Sequence, residues 1–161
     1  MRVLLQRVSE ASVTVDDRYT GSIGPGLLLL VGISGEDQAT DLHPVVEKIA
    51  NLRIFEDADG LMNLSARDQL AAGEEIGVLV VSQFTLYGDI RKGRRPSFTR
   101  AARPEHARPL VDHFATLFAE QGFAVGKGEF GAHMQVSLTN DGPVTIWIDS
   151  DEFKQPRRGP S

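Results

Sequence analysis

GLLLLVGIS, Gly26 to Ser34, is the stretch on which the fold turns. Five apolar residues run unbroken from Leu27 to Val31. A strand with one wet face alternates, whereas an unbroken run is expected where both faces are covered. The run is also far short of the ~20 residues that span a bilayer. This strand is expected to be covered on both faces within a soluble domain.

Working outward, EDQATDLHPVVEKIANLRIF follows it. Leu42, Val45, Val46, Ile49 and Leu52 recur at helical spacing. Asp37 or Thr40 is expected to cap this helix, with Pro44 in its first turn. Upstream, RVLLQRVSEASVTVD reads as two short strands and DDRYTGSIGPG as a turn-rich link. Downstream, FEDADGLMNLS reads as a hairpin around Asp59-Gly60. GVLVVSQFTL (77–86) reads as a second buried strand with a polar end. RPEHARPLVDHFATLFAEQG carries a helical stripe of Leu110, Val111, Phe114, Leu117 and Phe118, with Gly122 as its stop. FGAHMQVSLTNDGPVTIWID is strand-like. The fold class is therefore α/β. One domain of mixed sheet layers carries two long helices on one face, and its other face is left to more strands or another chain. Residues 1–149 are expected to form the domain and 150–161 a basic tail with Lys154, Arg157 and Arg158.

The composition narrows the chemistry. There is no cysteine, which removes disulfides, thiolate catalysis and cysteine-ligated metals. MRVLLQRVSE is not expected to be a signal peptide, because Gln6 and Arg7 break its apolar run. A cytoplasmic protein with no membrane partner is expected. Net charge is −5, yet Arg91, Lys92, Arg94, Arg95, Arg100, Arg103 and Arg108 face the single acid Glu105 between residues 91 and 108. Such a stripe can grip phosphates while the rest of the chain stays acidic, or it can be a solvated surface.

Familiar catalytic devices are missing. A calcium loop starting at Asp57 would place Met62 and Asp68 where glycine and glutamate are required. His106 and His113 lie seven apart with no HExxH spacing, so no metal site and no cofactor are expected. GKGEFG lacks the ending of a phosphate-binding loop, and no GxSxG is present. Two stretches remain. Ser82, Gln83 and Thr85 end a strand in hydrogen-bonding groups, which either meet backbone or meet something else. TNDGPVT (139–145) joins a turn signal to a Gly-Pro bond, a type that is cis in roughly 5–6% of folded cases.

SQFTL (82–86) together with NDGPVT (140–145) resembles the motif pair of the D-aminoacyl-tRNA deacylases. MRVLLQRVSEASVTV, KGRRPSF (92–98) and FGAHMQVSLTNDGP (130–143) are similar too, in the expected order. The resemblance runs from Met1 to Asp149. It implies an enzyme that hydrolyses the ester between a D-amino acid and the terminal adenosine of tRNA, with glycine on tRNA also a substrate. It implies a homodimer with two sites at the subunit interface. Gly142-Pro143 is then cis and enters the partner's pocket, where its backbone excludes L side chains. The resemblance makes Gln83, Phe84 and Thr85 catalytic, and Ser82, Met134, Gly142 and Pro143 substrate-binding. Arg7 braces the Gly-Pro loop, and Arg91, Lys92, Arg94 and Arg95 touch tRNA phosphates. Thr85 acts either as a nucleophile or beside a water helped by the substrate's 2′-hydroxyl. The second is favoured, since no base is visible for Thr85. An editing module of an archaeal threonyl-tRNA synthetase, a non-catalytic RNA binder and a purely structural oligomer are the alternatives. The 161 residues contain no synthetase segment, which favours a stand-alone enzyme.

Overall fold

In the computed structural model, which describes residues 1–155, a mixed six-stranded sheet organises the chain. β1 (Arg2–Val15) is paired on both edges. One edge runs antiparallel to β8 (Gln135–Asp149). The other meets β3 (Gly26–Gly32) and then β2 (Arg18–Ile23). β6 (Gly77–Ser82) and β7 (Ala124–Lys127) extend the sheet in parallel from β3. The Leu27–Val31 run sits between β1 and β6, and all but Leu30 of it is buried.

α1 (Leu42–Asn51) and α3 (Pro104–Glu120) cover one face. Their apolar stripes pack on Val3, Leu5, Leu27, Leu29, Val31, Val78 and Val80 in the main core. Phe114 and Phe118 are wholly buried and meet edge to face at 5.3 Å. Truncating either to alanine would cost about 3–5 kcal/mol. On the opposite face Val8, Ala11, Val13, Leu28, Leu79 and Val81 form a smaller core. The sheet curls to enclose it. A Cβ on Gly21 would lie 2.5 Å from the Lys127 carbonyl, so glycine is what lets β2 approach β7. Beyond this curl the face stays open, with Trp147 and Leu138 exposed at 46% and 37%.

Several local expectations change. The opening residues form one strand, not two. Its register shifts between Val8 and Glu10, so Val3 and Leu5 face the helices while Ala11 and Val13 face the smaller core. The supposed link is a tight turn at Asp16 and Asp17, both at positive φ, followed by β2. Asp37 does not cap α1. It is 2% exposed and accepts from the Met1 amine at 2.6 Å and the Ser34 amide at 2.7 Å. A 3-10 turn, Ala39–Asp41, leads into α1 instead, and Asp41 accepts from the Gln38 amide. The hairpin at Asp59-Gly60 is present as β4 (Phe55–Glu56) and β5 (Met62–Leu64). α2 (Ala66–Ala71), capped by Ser65, and β7 carry no clear periodicity and were not expected. Asp141-Gly142 does not turn the chain between two strands but bulges within one, β8. A 3-10 turn, Ser150–Lys154, follows β8, and Lys154 pairs with Asp41. Arg157 and Arg158 of the expected basic tail lie outside the described residues. No helix among the described residues is long and apolar enough to cross a membrane.

Candidate active site

The second apolar strand does not run to Leu86. β6 ends at Ser82, and Phe84–Tyr87 wind into a 3-10 turn. Phe84 and Leu86 mimic strand alternation, but Gln83 leaves the extended region with φ −145° and ψ 79°. The Gln83 amide donates to the Val31 carbonyl at 2.7 Å, and the Gly88 amide closes the turn on the Thr85 carbonyl at 2.9 Å. Room for the turn comes from Gly32, where a Cβ would lie 3.0 Å from the Gln83 carbonyl and 3.2 Å from the Leu86 Cβ. Tyr87 points inward and is buried, and burial pushes its hydroxyl well above the usual tyrosine range. Phe84 and Thr85 point outward and are exposed. The Gln83 side-chain amide donates to Thr85 Oγ1 at 2.5 Å. The Phe84 and Thr85 amides open the turn, so neither has an acceptor within it.

Beside this turn lies a groove of about 350 Å³. Val31, Ile33, Ala107 and Val111 line it together with Phe84, Phe98 and Phe130. Phe84 meets Phe98 edge to face at 5.1 Å, and the Arg108 guanidinium lies over Phe130 at 5.1 Å. Ser82, Gln83 and Arg103 add hydrogen-bonding groups. A mainly apolar, aromatic groove with a few polar groups suits a flat ring held by stacking. Phe98 and Phe130 end and begin two of the similar stretches, but neither carries a signal of its own in the sequence. They lie far apart in sequence, and only the fold joins them to Phe84.

The Gly-Pro stretch is elsewhere. Four residues of β8, Asp141 to Val144, loop out opposite Arg7 alone. The Gly142-Pro143 peptide is cis, and both residues are exposed. Arg7 is 6% exposed and donates through Nε to the Asp141 carbonyl at 2.8 Å and through Nη1 to the Ile54 carbonyl at 2.6 Å. Asn140 closes the base of the bulge, accepting from the Val144 amide at 2.8 Å and donating to its carbonyl at 3.1 Å. Arg7 lies in register with Leu27 and, through it, Val78. Three strand spacings and at least four residue rises separate the bulge from the Thr85 turn, on the order of 20 Å. Met134 is half-buried against the smaller core, with its sulfur near Gly128. Within one chain, Ser82, Gln83, Phe84 and Thr85 thus come together, while Arg7, Gly142 and Pro143 form a separate cluster.

The basic segment folds over the α3 end of the groove. Bridges between Asp89 and Ser97 and between Ser34 and Ala101 hold it. Arg91 grips Asp89 with two nitrogens, and that hydrogen bonding holds the Asp89 carboxyl well below the usual carboxylate range. Lys92, Arg94 and Arg95 are exposed. His106 Nε2 is engaged with the Asp37 carbonyl at 2.8 Å. Among the described residues no cluster of three or more His, Asp or Glu is placed to hold a metal.

The sequence profile of the family described as D-Tyr-tRNA(Tyr) deacylase matches residues 4–149. A D-aminoacyl-tRNA deacylase of Thermomicrobium roseum is 59% identical over 155 residues, which is 96% of this chain and 97% of that protein. The D-aminoacyl-tRNA deacylase of Chloroflexus aurantiacus is 56% identical over 161 residues, covering 100% and 98% of the two chains. A solved structure described as a c-Myc DNA unwinding element binding protein superposes with a TM-score of 0.83 at 39% identity, over 92% of this chain and 98% of that one. A probable eukaryotic D-amino acid tRNA deacylase shares the fold, with a TM-score of 0.77 at 19% identity over 91% and 97% of the chains.

Proposed function

The chain belongs to the D-Tyr-tRNA(Tyr) deacylase family, and from that premise we propose how its residues carry out the reaction. It is a hydrolase of carboxylic esters, a D-aminoacyl-tRNA deacylase. The observation that carries the mechanistic reading is the outward Thr85, tied to Gln83 at the edge of the aromatic groove. The terminal adenosine lies against Phe84, where stacking is worth about 1–3 kcal/mol per base. This sets the ester carbonyl against the turn. The free amides of Phe84 and Thr85 then face the oxygen that becomes negative, and one such donor is worth ~3–4 kcal/mol. Water adds to the carbonyl carbon, the bond to the ribose 3′-oxygen breaks, and that oxygen ends with the proton the water gave up. The ribose 2′-hydroxyl relays it. Thr85 orients the nucleophile and does not become acylated. Gln83, its only side-chain partner among the described residues, is an amide that cannot act as a base.

Stereoselection falls to Gly142 and Pro143. Their distance from Thr85 in one chain supports delivery from a second copy. The open sheet face, with Trp147 and Leu138 exposed, is a surface for that copy, and a homodimer follows. Backbone set against the substrate's Cα leaves no room for an L side chain, admits a D side chain, and lets glycine on tRNA through. Arg7 holds the bulge in place, and Met134 lies on the β8 side of the completed pocket. Lys92, Arg94 and Arg95, with Arg91 if it exchanges Asp89 for phosphate, hold the acceptor stem without reading its sequence. The cytoplasm is the compartment where this substrate occurs.

A nucleic-acid-binding module is the second reading, favoured by the likeness to the c-Myc DNA unwinding element binding protein at 39% identity. Incubating purified protein with D-tyrosyl-tRNA and L-tyrosyl-tRNA in EDTA separates the two. Rapid loss of the D ester with the L ester spared supports the deacylase, and binding without hydrolysis supports the module.

A further inference from the structure

The turn that carries Thr85 is held on its second side by a residue far away in sequence. Arg2 opens β1, and its side chain is only 21% exposed. Nη1 donates to the Leu86 carbonyl at 2.9 Å, the residue directly after Thr85. Nε donates to Asp149 Oδ2 at 3.1 Å, at the far end of β8. The guanidinium lies 4.6 Å from the centre of the buried Tyr87 ring and 5.4 Å from that of Trp147. Two rings, a carboxylate and a turn carbonyl thus fix one planar cation from four sides. On the strand side, among the described residues, the Gln83 amide bond, the close approach at Gly32 and the buried Tyr87 ring hold the turn, and none of them engages the Leu86 carbonyl. A 3-10 turn of four residues has little hydrogen bonding of its own. What fixes Leu86 therefore fixes the direction of the adjacent Thr85 hydroxyl and of the amides before it.

We propose that, given the deacylase activity inferred above, Arg2 is the positioning residue for the catalytic turn, acting through the Leu86 carbonyl and touching no substrate. Lysine cannot replace it, because an ammonium lacks the planar fork that donates in two directions while lying against rings. A lost hydrogen bond from a charged donor corresponds to a fall of about 10- to 100-fold in rate when the geometry matters only in the transition state.

The test is steady-state hydrolysis of D-tyrosyl-tRNA by wild type, Arg2→Lys and Arg2→Gln, with emission from Trp147, the single tryptophan, as the structural readout. Both variants are expected to lose about 10- to 100-fold in kcat with KM within about twofold, and to shift Trp147 emission while still melting cooperatively. Folded variants with wild-type kcat, or losses confined to KM, would overturn the assignment. If neither variant folds, Asp149→Asn decides. It frees one side of the guanidinium, and a fall in kcat supports the role whereas an unchanged kcat refutes it. An inert wild-type protein would overturn the deacylase reading, whereas an active wild type with equally active variants overturns only the role of Arg2.

Discussion

Removing the Arg7 guanidinium tests the link between the buried brace and stereoselection. Arg7 makes two short charged hydrogen bonds, to the Asp141 and Ile54 carbonyls, in a place almost closed to water. Each such bond contributes about 1.5–3 kcal/mol net, and bonds sharing one donor group are not additive. Arg7→Ala is therefore expected to destabilise by about 3–5 kcal/mol, and Arg7→Lys, which keeps one donor, by about half of that. With a urea slope of ~2 kcal/mol/M the alanine midpoint falls by about 1.5–2.5 M. The functional signature differs from simple destabilisation. An unbraced bulge no longer holds its backbone where an L side chain collides, so hydrolysis of L-tyrosyl-tRNA rises at least about tenfold relative to the D ester, or ~1.4 kcal/mol of discrimination. Equilibrium unfolding and the ratio of kcat/KM for the two esters measure the two effects. A large loss of stability with undiminished rejection of the L ester would refute the bracing role.

Three further outcomes follow from the same geometry. Thr85→Ala should slow D-ester hydrolysis yet leave clear activity, and an acyl-threonine trapped by mass spectrometry on wild type would contradict the water mechanism. Binding to deacylated tRNA should weaken steeply with salt, and replacing Lys92, Arg94 and Arg95 together should lower the slope of log K against log salt by roughly 2 to 3; a flat dependence would remove them from the RNA surface. Tyr87 should limit stability in alkali. Its folded-state hydroxyl is raised above the ordinary value of 10.0 by burial first and by the Asp37 charge second. A raised value favours the folded state below the unfolded value and loses that contribution as pH climbs past it. The urea midpoint should therefore fall above about pH 10, and Tyr87→Phe should flatten that fall.

The sequence disclosed the elements whose burial sets a simple period. The Leu27–Val31 run and the stripes of α1 and α3 are legible because one rule of spacing governs each. The long strand β1 was not, because the register shift near Ser9 changes which residues face inward, and its polar residues then read as a break. The end of β6 was hidden for the opposite reason. Phe84 and Leu86 keep the alternation of a strand although the backbone has turned into a 3-10 helix. In the site, Ser82, Gln83 and Thr85 stand out as polar groups after an apolar run. Phe98 and Phe130 do not, since each is ordinary in its own segment, and Arg2 looks like a charge before a strand. The family resemblance already implies that Arg7 braces the Gly-Pro loop, but its Ile54 partner and the clasp of Asn140 on Val144 are not legible, because those contacts exist only in the folded chain.

The central claim is that one subunit's Thr85 groove is completed by the other subunit's bulge, and mixed dimers test it most directly. One subunit carries Phe84→Ala with the bulge intact. The other carries the intact groove with Gly142→Ala, where the new Cβ would lie 2.9 Å from Val144 atoms and displace the bulge. Hydrolysis of L-tyrosyl-tRNA by the second subunit is measured alone and after co-assembly with an excess of the first. Suppression of L-ester hydrolysis on mixing, with D-ester hydrolysis retained, is the result expected of a site built from two chains. Undiminished L-ester hydrolysis in the mixed dimers would mean that each chain reads chirality by itself, and would contradict the account.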